Sequence, residues 1–325
     1  MTATVLAVGF WCSSSDRSWS WTPRPYLGAV AIILGLVATA VWWTTRGRHQ
    51  DPLVQARAQA DRAGLVAHAA DGAAAPNAVP VPDVVDPHVG AKRTWAFALG
   101  AVGLWMCLDW PLAALGAGYL ATAQLIRQVL MVMVVAPLLL FACPPELAAR
   151  FVGWGKRLTV LRWTARPIVA VPVAAITLVV VNAPTVVDPL LSSPWGAFAM
   201  DAAWVTAGFI LWMPVQCPHP GVRKLTGAGA LVYLIGQSVV PVVPGFFMTW
   251  ATTPIYRTYE LAPPVFRGFD PIADQQTAAA VLQVGGMVLL WLQISYRFLK
   301  WGYTQMEADR VGRTKPIAGT PAPNP

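Results

Sequence analysis

Charged residues are scarce in this sequence, and long apolar runs occupy most of it. Only 12% of its 325 residues are Asp, Glu, Lys or Arg, whereas 56% are hydrophobic, and the mean hydropathy is +0.53. Soluble domains carry about 25% charged residues, so a soluble fold of this composition would expose far too much apolar surface to water. The composition therefore excludes an ordinary soluble domain and predicts a protein solvated by lipid.

Cysteine and histidine are few as well, and their spacing excludes the common metal motifs. The four Cys form no CxxC pair and no zinc-ligand pattern. The four His lie in neither the long apolar stretches nor the predicted outer loops, which argues against a bis-His haem in the membrane and a His-based copper site on the outer side. Soft copper ligands are available at Met106, Cys107 and Cys12, although Cys and Met in membranes are mostly packing residues.

Seven apolar stretches are candidates for membrane-spanning helices. A span needs roughly 20 mostly apolar residues, and the fourth stretch is the shortest. Residues 1–12 lack the basic start of a cleaved signal peptide, so we expect the first stretch to stay in the protein. The predicted spans are residues 26–43, 95–115, 121–143, 167–181, 197–215, 225–247 and 278–296. They predict an all-α, polytopic membrane protein, a bundle of seven transmembrane helices.

Lys and Arg alternate between the loops that join these spans. They are abundant after the first, third and fifth spans and in the C-terminal tail, but residues 116–120 and 183–196 contain none. The remaining loop, residues 248–277, balances two Arg against three acidic residues. Basic loops stay in the cytoplasm, so we predict that the N-terminus lies outside and the C-terminus in the cytoplasm. Anionic lipid accounts for the net charge of +8, and nucleic acid is not an expected partner.

The composition changes sharply outside the spans. Residues 50–92 are rich in Ala, Pro, Val and Asp, and the chain ends in AGTPAPNP; both compositions are typical of flexible segments. No internal repeat is evident, which argues against the inverted-repeat plan of many transporters. We predict an outer N-terminal tail over 1–21, the first transmembrane helix over 22–44, a flexible cytoplasmic linker over 45–93, a six-helix transmembrane core over 94–303 and a disordered cytoplasmic tail over 304–325.

Several polar side chains fall inside or at the edge of the predicted spans, near their outer ends. Such groups are costly in lipid and are functional candidates by default. Spacings of three and four residues place those of the third span on one helical face. The predicted functional cluster comprises Gln124, Arg127, Gln128, Asp201, Asp274, Gln275 and Gln276.

Arg127 needs a partner, because a buried Arg costs about 2.5–3.5 kcal/mol at a helix centre. Asp201 on the fifth span is the favoured partner, with Asp109 and Asp274 as alternatives. Arg127 could instead snorkel to the outer headgroups, and Asp274 could be the N-cap of the seventh helix. A capping role would not exclude a second role for Asp274.

The other polar positions have simpler explanations. Gln124 and Gln128 could be ordinary interhelical hydrogen-bonding residues, and Gln237 and Gln283, deeper in their helices, are more consistent with packing contacts. The PVVPG segment, residues 241–245, contains two prolines that should kink or end the sixth helix. This break is as consistent with a helix end as with a binding site.

Four segments are distinctive, in chain order WSWTPRPYLGAV, ATAQLIRQVLMVMVVAPLLL, GFILWMPVQCPHP and PIADQQTAAAVLQVGGMVLL. They resemble segments of the CtaG-type family of cytochrome c oxidase assembly proteins of bacterial membranes. The resemblance covers residues 22–44 and 94–303. Its most specific part is the acidic-Gln-Gln trio that begins at Asp274.

The resemblance implies a non-enzymatic, membrane-embedded assembly factor for a haem–copper cytochrome c oxidase, which aids copper-centre maturation on the outer face of the bacterial cell membrane. It implies oxidase subunits or a copper chaperone as partners. Family members carry two His four apart on the third helix and another on the fifth, where this sequence has Gln124, Gln128 and Asp201. Copper therefore remains a possible cofactor whose usual His ligands are absent, because glutamine amides bind copper poorly. A small-solute or ion transporter that uses the outer-side Arg/Asp/Gln cluster is the alternative function.

Overall fold

The computed structural model describes residues 9–14, 19–23, 25–47, 87–239 and 242–314. It is 77% helical and has no strand in this described part, which confirms the all-α prediction. Most of the predicted linker, residues 48–86, lies outside the described residues, as does the end of the predicted tail, residues 315–325.

Fifteen α-helices follow one another along the described residues. Six begin with proline, whose missing N–H breaks no helical bond at a first helical position. Three π-helical turns follow α1, α4 and α14, at Trp43–Gly47, Met131–Val135 and Val281–Gly285. The helices are α1 (Leu27–Trp42), α2 (Pro87–Leu108), α3 (Leu112–Gly118), α4 (Ala121–Leu130), α5 (Ala136–Ala142), α6 (Pro145–Val152), α7 (Lys156–Thr164), α8 (Pro167–Val181), α9 (Pro184–Leu191), α10 (Pro194–Gln216), α11 (Gly227–Gln237), α12 (Val242–Trp250), α13 (Arg257–Glu260), α14 (Pro271–Ala280) and α15 (Gly286–Thr314).

Between four and six helical stretches of the described residues are long and apolar enough to cross a membrane. Two bent pairs make the difference: Gly90–Leu108 with α3, bent by 40°, and α7 with α8, bent by 78°. Together these stretches overlap six of the seven predicted spans. The four that need no such pairing are Leu27–Thr45, Ala121–Ala142, Pro194–Gln216 and Pro271–Glu307.

The sixth predicted span, residues 225–247, is divided in two. Its first part, α11, is apolar but has only 11 residues, and α12 begins at Val242. Pro244 lies in the first turn of α12, where its missing N–H breaks no helical bond, whereas Pro241 lies outside the described residues. The division agrees with the expectation that the PVVPG segment interrupts this helix.

The π-helical turn before Pro137 leaves backbone carbonyls of the third span without helical donors. Side chains from other helices take their place. Nε1 of Trp212 donates to the Val132 carbonyl at 2.8 Å, and Nε2 of Gln293 donates to the Met133 carbonyl at 3.0 Å. These bonds hold α10 and α15 against the third span and satisfy groups that lipid could not.

Small residues bring the third span close to the fifth and to the second. A Cβ added at Gly208 on α10 would lie 2.9 Å from Cβ of Ala136, and one added at Gly116 on α3 would lie 2.7 Å from Oε1 of Gln124. Backbones can approach this closely only where side chains are small. The close approach places Trp204 in the core, 1% exposed, and positions the polar cluster between the helices.

Candidate functional site

An ion pair between two helices forms the centre of the site. Arg127 on α4 donates from Nη2 to Oδ2 of Asp201 on α10 over 2.6 Å, and only 2% of each side chain is exposed. Either charge alone would be costly to bury, and pairing offsets much of that cost. The structure therefore selects Asp201 over Asp109 and Asp274 as the partner, and the burial of Arg127 excludes snorkelling.

The Arg127 guanidinium has acceptors at all three of its nitrogens. Besides the bond to Asp201, Nε donates to the Cys107 carbonyl at 2.6 Å and Nη1 donates to Oε1 of Gln124 at 2.7 Å. The central guanidinium carbon lies 5.9 Å from the ring centroid of Trp204, within the range of a cation–π contact. Arg127 thus ties α2, α4 and α10 together.

Trp11 covers the ion pair from the segment that precedes α1. Its Nε1 donates to Oδ2 of Asp201 at 3.0 Å, and its side chain is 4% exposed. Ser14 anchors the same segment by donating from N and Oγ to the Leu191 carbonyl at 2.8 and 3.0 Å. A Cβ at Gly28 would lie 2.6 Å from the Trp11 ring, so glycine is needed for this close approach.

No pattern in the sequence indicates Trp11 as a site residue. It falls in residues 1–21, the predicted outer tail, whose described part at 9–14 is folded against the helices. A single Trp beside Phe10 and Cys12 forms no helical or strand period. The apolar FWC triplet was the only local signal that this segment could be buried.

Asp274 on α14 caps a different helix from the one expected. Its Oδ2 and Oδ1 accept hydrogen bonds from the backbone N–H groups of Ala121 and Thr122, at 2.6 and 3.0 Å. The N-cap of its own helix is Asp270, which accepts from the Ala273 N–H at 2.7 Å. The expectation that Asp274 caps the seventh helix is therefore corrected: it places a carboxylate at the N-terminus of α4, where the helix dipole favours negative charge.

The Asp-Gln-Gln trio points in three directions, because successive helical residues are about 100° apart. Gln275 accepts from the Ile255 N–H at 2.7 Å and donates to the Met248 carbonyl at 3.1 Å, so it fixes the segment between α12 and α13. Gln276 is exposed. The structure therefore does not bring Gln276 into the buried cluster.

Asp109, the other alternative partner of Arg127, anchors the start of α1 instead. Its carboxylate accepts from Nε1 of Trp105 at 2.8 Å, from the Trp110 N–H at 2.9 Å and from the Tyr26 N–H at 3.2 Å. Tyr26 is the N-cap of α1. Asp109 thus connects the first and second spans at the end of the bundle that carries the site.

The two glutamines on α4 have different surroundings. Gln124 accepts from Arg127 and directs its Nε2 to Sδ of Met200 at 3.8 Å, so it belongs to the ion-pair network. Gln128 is 2% exposed, and its Oε1 has no hydrogen-bond partner among the described residues. A buried amide oxygen without a donor is costly, so packing alone does not explain the presence of Gln128.

A cavity of about 10 Å³, about the size of one water molecule, is lined in part by Gln124 and Trp204, two residues that contact Arg127. Tyr259 and Tyr256 donate their hydroxyls to the Gly116 and Asn182 carbonyls at 2.7 and 2.8 Å. Burial raises the pKa of both hydroxyls above the usual range, so they remain protonated donors at neutral pH. The cavity is lined by Ala121, Gln124, Leu125, Asn182, Val187, Met200, Trp204, Tyr256 and Tyr259.

The side chains of the cluster do not fit copper. A guanidinium, a carboxylate already paired with it and glutamine amides are poor ligands for that metal, and no group of three His, Cys, Asp or Glu is found among the described residues. Met106 and Cys107, two of the three soft-ligand candidates, do not form a site together either, since Cys107 is 0% exposed and Met106, its neighbour on α2, is 56% exposed. Cys107 meets Arg127 through its carbonyl and not through its thiol.

Comparison with known proteins finds one family. The family model described as cytochrome c oxidase caa3 assembly factor (Caa3_CtaG) matches residues 82–303. No curated protein and no solved structure gives a match. The matched range holds α2 to α14 and most of α15, and so it includes the ion pair and the Asp-Gln-Gln trio but not Trp11.

Proposed function

This chain belongs to the cytochrome c oxidase caa3 assembly factor family, and we propose that it is a membrane-embedded accessory factor without catalytic chemistry of its own. The family match, which covers more than half of the chain, supports a role in the assembly of a haem–copper oxidase. We propose that it acts in the bacterial inner membrane, near the copper centre that matures on the outer face. Oxidase subunits or a copper chaperone are the proposed partners.

We propose a seven-span topology with the N-terminus outside and the C-terminus in the cytoplasm. In this arrangement α2 and α3 together make the second crossing, α8 makes the fourth and α11 with α12 makes the sixth, whereas α7, bent by 78° from α8, does not cross. The alternation of basic loops supports the orientation. The Arg127 cluster then lies near the outer ends of its helices, and the linker of residues 45–93 and the tail after residue 304 lie in the cytoplasm.

The buried pair of Arg127 and Asp201 is the observation that carries the proposed mechanism. A buried ion pair is a weak source of stability, since well-packed apolar residues of the same volume are often as stable. Its value is in fixing one arrangement, here of α2, α4, α10 and the segment that holds Trp11. We propose that this fixed outer surface, rather than a metal held by the cluster, is what the oxidase partner recognises.

Individual residues of the cluster then take positioning roles. Asp274 and Gln275 fix the start of α4 and the segment before α13, and Gln276, exposed beside them, is proposed to contact the partner. The hydrogen bonds of Arg127 hold α2, α4 and α10 rigidly in place beneath this surface. Copper, in this proposal, is carried by the partner, because the donor set of the cluster does not suit it.

Transport, the alternative function, receives no support from the structure. Arg127 and Asp201 are bonded to each other, and neither of them lines the cavity of about 10 Å³ that adjoins Gln124 and Trp204. In the part of the chain that the structure describes, the two charges line no open path. We therefore do not propose a transporter.

A complementation experiment tests the proposal. Deletion of the gene is expected to lower oxidase activity and the copper content of the oxidase, and the wild-type chain is expected to restore both. Asp201→Asn should restore less, whereas Glu260→Gln, which also neutralises an acid but at an exposed position, should restore fully. Unchanged oxidase activity and copper after deletion would contradict the proposal.

Metal analysis separates the two ways in which copper can be involved. Purified protein, with and without loading with Cu(I), is expected to retain no stoichiometric copper. Stoichiometric copper that Asp201→Asn abolishes would show that the cluster binds the metal and would overturn the positioning role.

A further inference from the structure

One stretch of the chain is basic without interruption by acidic residues. No Asp or Glu occurs between Glu146 and Asp188. Like charges at this density repel one another unless an anionic surface lies opposite. The basic residues in this interval are Arg150, Lys156, Arg157, Arg162 and Arg166.

The helix α7, which carries three of these charges, is turned sharply away from the span that follows it. Its axis is bent by 78° from that of α8. The turn occurs at Arg166, whose ψ of 129° is extended, as expected for a residue before proline. Because α8 has the composition of a span, an element at this angle lies nearly parallel to the membrane plane.

Contacts on one side hold α7 in a defined orientation. Leu158 and Ala165 are 3% and 5% exposed and pack with Cys217 and Val222 in a small apolar cluster. Nε of Arg162 donates to a backbone carbonyl, that of residue 221, at 2.9 Å. The helix is therefore fixed to the loop after α10, and its other side is left outward.

The outward side combines aromatic rings with basic groups. Trp154 and Trp163 are 61% and 52% exposed, and Lys156, Arg157 and Arg166 are exposed as well. Trp is enriched at the level of lipid headgroups, and guanidinium groups bind phosphate through paired N–H donors. Both kinds of side chain suit the same environment, the headgroup layer at the basic end of the bundle.

We propose that α7 and its flanking residues, 154–166, form a binding surface for anionic phospholipid headgroups. Charge complementarity selects this occupant, since three exposed basic residues, Lys156, Arg157 and Arg166, and no acidic one face a layer whose anionic lipids carry phosphodiester groups. The Trp rings set the depth of the helix, and the Lys and Arg side chains select anionic over zwitterionic lipid. The proposal does not depend on the assembly function, because it concerns the opposite end of the bundle from the Arg127 cluster.

Native mass spectrometry of the full-length protein in detergent tests the proposal. Phosphatidylglycerol and phosphatidylcholine of the same chain length are titrated into wild type, into K156Q/R157Q and into the control R257Q/R267Q. The control removes two basic residues that are also exposed, from the segment between α12 and α14. The wild type is expected to prefer phosphatidylglycerol. The substitutions K156Q/R157Q are expected to lower the affinity for phosphatidylglycerol roughly thirtyfold at low salt.

The control variant should keep the wild-type preference, and added salt should weaken it in the wild type. Equal binding of the two lipids by the wild type, or equal losses in both variants, would overturn the proposal. A K156Q/R157Q protein that keeps its lipid preference but no longer copurifies with an acidic protein would also overturn it, by assigning the basic surface to a protein partner.

Discussion

The indole of Trp11 donates a hydrogen bond to the carboxylate of Asp201 across 190 positions of the chain. Because Arg127 binds the same oxygen at 2.6 Å, the segment before α1 and the helices α4 and α10 share one acceptor. A substitution of Trp11, Arg127 or Asp201 should therefore alter the position and the energetic contribution of the other two side chains. This coupling distinguishes an assembled site from separate packing contacts.

Neutralising Asp201 should be far more damaging than neutralising an exposed acid. Asp201→Asn leaves the Arg127 charge buried without a counter-charge, which costs about 3–5 kcal/mol. We expect a lower Tm for the purified protein in detergent, and no measurable change for Glu260→Gln. The double variant R127M/D201L should recover much of the loss, and a double variant no more stable than Asp201→Asn would contradict the buried-charge explanation.

The two acids at the start of the last long helix should have separable effects. Asp274→Ala removes the cap of α4 and should cost about 1–2 kcal/mol, with faster hydrogen exchange at the amides of Ala121 and Thr122. Asp270→Ala removes only the cap of its own helix. Exchange at residues 121 and 122 should stay at the wild-type rate in that control, and equal acceleration in both variants would mean that Asp274 does not cap α4.

A single methyl group on α1 should dislodge the segment that carries Trp11. Gly28→Ala places a Cβ 2.6 Å from the indole, whereas Gly35→Ala, on the same helix, meets nothing within 4 Å. We expect maleimide labelling of Cys12, which is 6% exposed, to be faster in Gly28→Ala than in wild type. Mass spectrometry of the labelled peptides measures the labelling rate. Equal rates in Gly28→Ala and Gly35→Ala would contradict the packing of Trp11 against α1.

Gln128 offers a test that separates function from stability. Its buried Oε1 has no partner in the described residues, so Gln128→Leu should leave the Tm unchanged or raised. Gln293→Leu loses the bond to the Met133 carbonyl and should cost about 1–3 kcal/mol. If Gln128 belongs to the functional cluster, Gln128→Leu will lower oxidase activity in a complementation assay without lowering the Tm.

An unchanged oxidase activity in Gln128→Leu would remove this residue from the proposed cluster. A lowered Tm would show that its amide has a stabilising partner. Neither result bears on the role of Arg127, because the Arg127 side chain bonds to Gln124 and not to Gln128.

The sequence by itself determined that this protein is helical and suited to lipid, and it favoured the Arg127–Asp201 pair that the structure contains. Composition and the lengths of the apolar runs are local properties, and a helix in lipid must satisfy its backbone within itself, so six of the predicted spans overlap helical stretches of the structure. The pairing of Arg127 with Asp201 was also predictable, because charge in an apolar span demands a partner and few carboxylates lie at that depth.

Only the tertiary structure decided which groups meet at the ends of the helices. Trp11 reaches Asp201, Asp274 caps α4 instead of its own helix, and Gln276 turns outward although Gln275 beside it is buried. None of these relationships follows from periodicity, because each depends on how helices far apart in the chain are rotated and shifted against one another. Close packing at glycine positions sets that rotation and shift, and local sequence patterns carry no measure of the distance between two helices.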